Sequence, residues 1–284
     1  MKKSIIMALS MLVAFCANAQ NDSSAFFAGN WSSEKICDGI TLRQCAFNGN
    51  LFNSDQYVSV LEISGRKTDI VEAPEESLVK TSQMAQEENA IVAVNGGFFK
   101  MRKPFGSVMF LRIDGQDKAP NKDDTGSSTG FGKRSTRQSG AVAVYGDELF
   151  IVKADAVKDW ERYIQAEDVL TSGPLMIVDG KDEVIPAVSF NTYRHPRTAV
   201  GKKDDGTVVY IVVDGRSKGN AAGMSITELQ SVMRWLGCKD ALNLDGGGSS
   251  AMVVEGKVVN HTCDNGKFDN QGERKVSNAL IVRR

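Results

Sequence analysis

The segment TVVYIVVDGRSKGNAAGMSITELQSVMRWLGCKDALNLDGGGSS, residues 207–250, decides the predicted fold. It begins with an apolar run from Thr207 to Val213 that is typical of a buried strand, and a helix is predicted over Ser225 to Leu236. A short strand from Ala241 to Leu244 follows, so the segment is a strand-helix-strand unit. A crossover of this kind predicts two parallel neighbouring strands in one sheet.

A second unit of the same kind comes earlier in the chain. Its predicted elements are a strand over Tyr57 to Ile63, a helix over Glu75 to Glu88 that opens after Pro74, and a strand over Ile91 to Val94. Short hairpin-like strands are predicted over Ser107 to Ile113, Ala141 to Tyr145, Leu149 to Val152, Leu175 to Val178, Thr198 to Gly201 and Ala279 to Val282. The expected fold is α+β, with a mixed sheet, strand-helix-strand crossover units and additional antiparallel hairpins.

The first residues predict export. Lys2 and Lys3 precede an apolar run, and Ala17-Asn18-Ala19 suits cleavage before Gln20, which is typical of a signal peptide over residues 1–19. A lipoprotein attached through Cys16 is the alternative, although a bulky phenylalanine precedes that cysteine. Residues 20–284 are then predicted to form a single domain, and no later run reaches the roughly 18 apolar residues of a membrane span.

The charge balance argues against a nucleic-acid partner. Of the 34 Lys and Arg residues, two lie in the predicted signal peptide, which leaves 32 against 35 Asp and Glu residues and no basic block. We expect a small-molecule or glycan substrate, while the sequence leaves the oligomeric state open.

Four cysteines follow the predicted signal peptide: Cys37, Cys45, Cys238 and Cys263. In an oxidising compartment they predict two disulfides. Proximity favours Cys37 with Cys45, although three connectivities are open. No cofactor and no metal site are expected, because the chain has no CxxC spacing and only two histidines. Oxygen atoms of Asp264, Asn265 and Asp269 leave a metal-assisted variant open.

Two aspartates follow the two strands of the residue 207–250 unit. Crossover geometry places Asp214 and Asp245 on the same rim of the sheet, roughly 5 to 9 Å apart if the strands are neighbours. Carboxylate pairs at that separation are used in glycoside hydrolysis. The alternative is that each aspartate caps its own turn, as Asp before Gly often does.

The same rim has features that favour an anion. The turn from Gly246 to Ser250 can bring backbone N–H groups close to a phosphate, and Arg216 follows Asp214. The helix N-terminus near Ser225 adds a positive dipole end. Glu228 is either a third catalytic carboxylate or, as we favour, half of a capping box with Ser225.

Further candidates lie outside this unit. Asn95 is a sugar or phosphate ligand or a turn residue, and Arg194 and Arg197 are phosphate ligands or a solvated pair. The polar stretch from Asp114 to Gly140 is a surface insertion or, alternatively, a lid whose cations bind an anionic substrate. Those cations are Lys133, Arg134 and Arg137.

Five motifs resemble those of the phosphodiester glycosidase family. They are NGGFF from Asn95, RTAVG from Arg197, VDGRSKG with GMSITEL from Val213, LNLDGGGSSAM from Leu242 and GERKVSNAL from Gly272, and they occur in family order between residues 91 and 284. The resemblance implies hydrolysis of the bond between an anomeric carbon and a phosphate oxygen of a sugar-1-phosphate diester. With the reasoning above, it predicts Asp245, Asp214 and Glu228 as catalytic residues. The predicted substrate-binding residues are Asn95, Gly96, Arg194, Arg197, Thr198, Arg216, Ser225, Asn243, Gly246, Gly247, Gly248, Ser249 and Arg274.

Two other functions are open. GGSSA approximates a nucleophile elbow, which would make Ser249 or Ser250 the nucleophile of a serine hydrolase, although the fifth position is Ala251 instead of glycine. A non-catalytic secreted glycan-binding protein is the other alternative, and the presence of both Asp214 and Asp245 speaks against it.

Overall fold

The computed structural model describes residues 21–121 and 135–284. Within these ranges the chain is mostly β-structure with few helices, which confirms the predicted α+β class at that level. The helices are α1 (residues 21–27), α2 (Thr81–Glu87), α3 (Ser189–Thr192) and α4 (Ile226–Trp235). Short 3-10 turns cover Thr136–Gln138, Trp160–Tyr163 and Gly247–Ser249.

An eight-stranded sheet carries the residue 207–250 unit, and we call it the large sheet. Its order is β1-β2-β3-β17-β16-β18-β14-β15. The strands are β1 (Ser32–Cys37), β2 (Ile40–Leu51), β3 (Ser54–Ile63), β14 (Leu175–Val178), β15 (Lys181–Asp182), β16 (Arg197–Lys203), β17 (Val208–Val213) and β18 (Cys238–Asn243).

Two five-stranded sheets pack against one face of the large sheet. The second sheet has the order β20-β19-β6-β22-β4 and the third β10-β9-β13-β11-β12. Their strands are β4 (Asp69–Glu72), β6 (Ala90–Asn95), β9 (Leu111–Ile113), β10 (Gln116–Ala119), β11 (Gly140–Tyr145), β12 (Glu148–Lys153), β13 (Asp168–Ser172), β19 (Met252–Val254), β20 (Lys257–Val258) and β22 (Asn278–Arg283). Two small ribbons pair β5 (Val79–Lys80) with β21 (Lys275–Val276), and β7 (Phe99–Lys100) with β8 (Gly106–Ser107).

Strand β17 is apolar at every position because both of its faces are covered. Its even-numbered residues pack in a core cluster that includes side chains of the second and third sheets. Its odd-numbered residues pack with Ile226, Leu229 and Met233 of α4 on the opposite face. A strand buried on both faces gives a continuous apolar run in place of an alternating one.

The predicted parallel pairing is wrong. Strand β16 lies between β17 and β18 and is antiparallel to both, so the two strands of the unit run parallel without being neighbours. All strand pairs among the described residues are antiparallel, which contradicts a mixed sheet. Val213 pairs with Arg197, and Ala199 pairs with Asn243, so β17 and β18 still end on one rim, as predicted.

The earlier predicted unit does not form a crossover within one sheet. Strand β3 belongs to the large sheet and β6 to the second sheet, and the helix between them begins at Thr81, later than predicted. The apolar periodicity located the strands, but it carried no signal for which sheet each strand joins. The predicted signal peptide lies outside the described residues, among which no helix is long and apolar enough to cross a membrane.

The predicted disulfides are absent, since all four described cysteines are free thiols. Cys37 lies at the β1–β2 turn opposite Ile40, and Cys45 is five residues further along β2, which separates them by about 17 Å at 3.4 Å per residue. Cys238 begins β18, whereas Cys263 lies beside Arg216 at the opposite end of the sheet. Neither pair reaches the geometry that a disulfide needs.

Candidate functional site

Asp245 follows β18 on the common rim, and its backbone is fixed by the end of β6. The Asn95 side chain donates from Nδ2 to the Asp245 carbonyl at 2.7 Å, and the Asp245 amide donates to the Gly96 carbonyl at 3.0 Å. Asn95 Oδ1 accepts from Thr198 Oγ1 at 2.7 Å and from the Ala251 amide at 3.1 Å. Asn95 and Thr198 are fully buried, so they lie beneath the site and position Asp245.

The carboxyl group of Asp245 has a raised pKa. Burial raises its pKa to about 6, against the opposing effects of the Ser249 hydroxyl and the positive charges of Arg274 and Arg137. The Gly246 amide donates to Asp245 Oδ1 at 3.0 Å. A carboxyl group with a raised pKa close to arginines is typical of a functional site.

Two guanidinium groups pack directly against the glycine run that follows Asp245. Gly247 has φ +64°, and a Cβ atom there would come within 2.9 Å of Arg216 Nη2. A Cβ atom on Gly248 would come within 2.4 Å of Arg274 Nη2 and 2.3 Å of Asp264 Oδ1. A side chain at either position would therefore displace an arginine, and the positive φ of Gly247 further favours glycine there.

Several backbone amides of the turn, which was predicted to bind phosphate, donate within the protein. The Gly247 amide donates to the Pro196 carbonyl at 2.8 Å, and the Ser249 amide donates to the Gly246 carbonyl at 3.3 Å. The Gly246 amide is bound to the Asp245 carboxylate. These donors are already satisfied within the protein, so the positive character of the rim comes from side chains.

Arg137 and Arg216 lie on the rim without an acidic partner among the described residues. Neither guanidinium forms an ion pair within the described part of the chain, whereas Arg274 forms a bidentate pair with Asp264. Arg137 lies 4.6 Å from the ring centroid of Phe190 and 5.2 Å from that of Phe98. The lid cations Lys133 and Arg134 lie outside the described residues, so only the Arg137 part of that hypothesis has a structural basis.

The Asp214 side chain is completely buried, and its carboxyl oxygens make three polar contacts. Asn260 Nδ2 donates to Oδ1 at 3.0 Å, and the His261 amide donates to Oδ2 at 3.0 Å. His261 Nδ1 lies 2.8 Å from Oδ2. Burial raises the pKa of Asp214, and the hydrogen bonds from His261 and Asn260 oppose this shift. Asp214 therefore holds His261 in place and does not face the rim as a second free carboxylate.

Glu228 forms the capping box of α4. Its carboxylate accepts from the Ser225 amide at 2.8 Å, and the Ser225 hydroxyl accepts from the Glu228 amide at 3.2 Å. Arg194 binds the same carboxylate through Nε and Nη2. The favoured cap is confirmed. The structure therefore places Glu228, Ser225 and Arg194 at the helix terminus, and their catalytic and binding roles stay predictions.

Arg197 and Asn243 are buried and bind the backbone. Arg197 donates to the carbonyls of Met224, Phe190 and Tyr193 at 2.7 to 2.9 Å. Burial, aided by the charge of Arg216, lowers the pKa of Arg197 to about 10. Asn243 Nδ2 donates to the carbonyls of Gly173 and Leu244. These contacts support a positioning role for both residues, in place of the direct substrate contact expected from the sequence.

The two aspartates follow strands that are not neighbours in the sheet. Since β16 lies between β17 and β18, Asp214 and Asp245 leave the sheet two strand spacings apart, roughly 10 Å at the backbone.

The serine-hydrolase alternative lacks its central contact, a hydrogen bond between a serine hydroxyl and a histidine ring. Within the described ranges, the one hydrogen bond to a histidine ring joins His261 to Asp214, and no serine hydroxyl binds either imidazole. No group of three or more described His, Cys, Asp or Glu side chains is arranged to hold a metal ion.

The sequence reasoning missed His261, Asn260 and the aromatic pair of Phe98 and Phe190. The two aromatic residues come together from separate segments, and their rings are 5.9 Å apart. Asn260 and His261 follow β20 and belong to no recognised motif. The sequence did contain one signal for His261, because it is one of only two histidines in the chain.

A match to a family model agrees with this fold and site: the model of phosphodiester glycosidase matches residues 88–283, about two thirds of the chain. The chain therefore belongs to the phosphodiester glycosidase family. It is 33% identical over 184 residues to the SPbeta prophage-derived uncharacterized protein YomE of Bacillus subtilis (strain 168). It is 27% identical over 214 residues to N-acetylglucosamine-1-phosphodiester alpha-N-acetylglucosaminidase of Bos taurus. These matches cover 64% and 70% of this chain, but only 27% and 38% of the relatives.

Two solved structures share the fold. The catalytic domain of the zebrafish N-acetylglucosamine-1-phosphodiester alpha-N-acetylglucosaminidase, described as auto-inhibited by its pro-peptide, superposes with a TM-score of 0.68 at 16% identity. That match covers 90% of this chain and 88% of the zebrafish one. A hypothetical protein from Synechocystis superposes with a TM-score of 0.63 at 17% identity, over 90% of this chain and 64% of that one. At these identities the likeness establishes the fold.

Proposed function

We propose that this protein hydrolyses the bond between the anomeric carbon of a sugar and a phosphate oxygen in a sugar-1-phosphate diester. The observation that supports this most directly is that the guanidinium groups of Arg216 and Arg137 lie close to Asp245 and form no ion pair with any described residue. Planar guanidinium groups bind phosphate through charge-assisted hydrogen bonds. Family membership and the activity named for the bovine relative support the same reaction.

In the proposed mechanism the arginines bind the phosphate and Asp245 faces the sugar. The transition state of glycoside cleavage has the character of an oxocarbenium ion, so an ionised carboxylate beside the anomeric carbon stabilises it. The departing phosphomonoester carries its own negative charge, which Arg216 and Arg137 stabilise as it develops. Such a leaving group needs little protonation, which fits a site that has more free cations than free acids.

We also propose that the protein acts outside the cytoplasm. The pattern of residues 1–19 supports export, and a solved structure with the same fold is described as a putative exported protein of Burkholderia pseudomallei. The free thiols leave this proposal without support from disulfides.

Hydrolysis in ¹⁸O-labelled water tests the proposed reaction. The purified protein is incubated with alkyl and aryl diesters of several sugar-1-phosphates, including N-acetylglucosamine-1-phosphate. We expect the label in the released sugar, because water attacks carbon. Label in the phosphomonoester would identify a phosphodiesterase instead, and a folded protein that cleaves no diester of the panel would contradict the proposal.

Asp245→Asn is the matched variant for the same assay. We expect it to remain folded and to lose activity by about a thousandfold or more, since the charge at the anomeric carbon is removed. Asp204→Asn is the control, because its side chain is 87% exposed and pairs only with Lys239. Near-normal turnover by folded Asp245→Asn would remove Asp245 from the mechanism.

A further inference from the structure

We infer that His261 is the group that takes the proton from the attacking water, and that Asp214 is its positioning residue. This inference rests on the proposed function and assigns its missing base. It starts from the contact of His261 Nδ1 with Asp214 Oδ2 at 2.8 Å. A carboxylate that already accepts from Asn260 and from the His261 amide fixes the tautomer with hydrogen on Nδ1. The lone pair of the imidazole is then on Nε2.

The ring of His261 is fixed on two sides. Phe268 stacks on it with a centroid distance of 3.8 Å and an interplanar angle of 11°, and Tyr57 meets it edge-on at 4.6 Å. The side chain nevertheless remains 27% exposed, so water has access to it. An oriented, partly exposed imidazole with one nitrogen held by a buried carboxylate is the arrangement that general bases use.

The segment that begins at His261 runs along the glycine turn. Cys263 Sγ lies 4.0 Å from Arg216 Nη1, and Asp264 binds Arg274 beside Gly248. Asn260 links Asp214 to the same turn, because its Nδ2 also donates to the Ser250 carbonyl at 3.3 Å. The dyad therefore lies on the same rim of the sheet as Arg216 and the glycine turn.

The proposed step balances as follows. Nε2 of His261 takes a proton from water while the water oxygen bonds to the anomeric carbon on the face opposite the phosphate. The bond between carbon and phosphate oxygen breaks, and its electron pair leaves with the phosphomonoester. The imidazolium then releases its proton to solvent. The configuration at the anomeric carbon is inverted.

Rescue by azide tests this assignment, because azide attacks carbon without losing a proton. We expect His261→Ala to hydrolyse a sugar-1-phosphate diester at least a hundredfold more slowly than the wild type. Sodium azide should restore turnover and give a glycosyl azide of inverted configuration. His195→Ala, the variant of the other histidine, should keep its hydrolytic activity and give no glycosyl azide.

Three results would overturn the inference. They are hydrolysis by His261→Ala close to the wild-type rate, a folded and inactive His261→Ala that does not respond to azide, and an azide product of retained configuration.

If His261→Ala does not fold, acylation by diethyl pyrocarbonate tests the assignment in the His195→Gln variant. In that variant the only remaining histidine of the sequence is His261. One acylation per chain should abolish activity, with protection by the diester. Full activity of the acylated protein would contradict the assignment. Failure of the proposed function differs from all of these, since the wild type itself would then cleave no diester.

Discussion

The guanidinium group of Arg216 lies over the backbone of Gly247, where a Cβ atom would be 2.9 Å from Nη2. Arg216 itself has φ +61°, a left-handed conformation that is unfavourable for an arginine. Such a residue costs on the order of 1 kcal/mol or more and persists only where its surroundings hold it. The strained backbone and the glycine together direct a long cationic side chain across the turn that follows Asp245.

The first prediction tests whether Arg216 binds the phosphate group of the substrate. If it binds phosphate, Arg216→Ala should lower kcat/KM for a sugar-phosphate diester by roughly 2 to 4 kcal/mol, while slow hydrolysis of a neutral aryl glycoside changes far less. Steady-state kinetics on both substrates provides the measurement, and Lys218→Ala, a nearby exposed cation, is the control. Equal losses on the two substrates would show that Arg216 braces the loop.

The raised pKa of Asp245 has a consequence for stability. Its folded-state value is about 6, whereas an unfolded aspartate titrates near 3.9. The folded protein therefore holds the proton more tightly, and stability falls as pH rises from about 4 to 6. Asp245→Asn should be more stable than the wild type at pH 8, by up to about 3 kcal/mol, with the difference vanishing below pH 4.

Thermal unfolding at pH 4 and pH 8 measures this difference. Asp204→Asn, at an exposed position, should show the same midpoint as the wild type at both pH values. An Asp245→Asn midpoint that does not exceed the wild-type midpoint at pH 8 would contradict the burial of this charge.

Substitution of Glu228 tests whether this residue caps helix α4 or takes part in catalysis. Glu228→Ala removes the capping box and the ion pair with Arg194, so we expect the free energy of unfolding to fall by about 1 to 2 kcal/mol. The value of kcat should change by no more than a few-fold. Denaturant unfolding and diester kinetics are measured on the same preparation. Glu228→Gln, which can still reach the Ser225 amide, should be less destabilised. A hundredfold loss of kcat in folded Glu228→Ala would return Glu228 to the catalytic set.

The free thiols predict a labelling pattern. An alkylating reagent applied without reduction should label Cys37 and Cys263, which are partly exposed, in the folded protein. Cys45 and Cys238 are buried and should label only after unfolding. Peptide mapping identifies the labelled positions, and a prereduced sample is the control. Recovery of any pair as a disulfide would contradict the structure.

The sequence predicted the elements of the fold better than their pairing. Strands such as β17 and helix α4 follow from apolar periodicity, which depends only on neighbouring residues. The insertion of β16 between β17 and β18 depends on contacts between distant segments, and no local pattern encodes it. The run from Ser32 to Leu51, which forms two long strands, was not predicted because its polar residues mask the alternation on a half-exposed edge.

The candidate site was predicted in location and less well in roles. Asp245 and Arg216 were found because each lies next to a glycine motif at a strand end. For Arg197 and Asn95, residue type alone could not distinguish a ligand from a side chain whose atoms are satisfied by buried carbonyls and amides. His261 was missed because its importance comes from Asp214, which is 47 residues earlier in the chain.

The side-chain amide of Asn95 joins β6 of the second sheet to Thr198 of the large sheet and to both ends of the glycine turn. The turn is thereby locked to two sheets at once, and the amide hydrogens of Asp245 and Ala251 should exchange with deuterium only when the sheets separate. Such a turn cannot be reshaped in small steps. Substitutions that alter the surroundings of Asp245 without disturbing the turn should therefore lie on other segments, as Arg137 does.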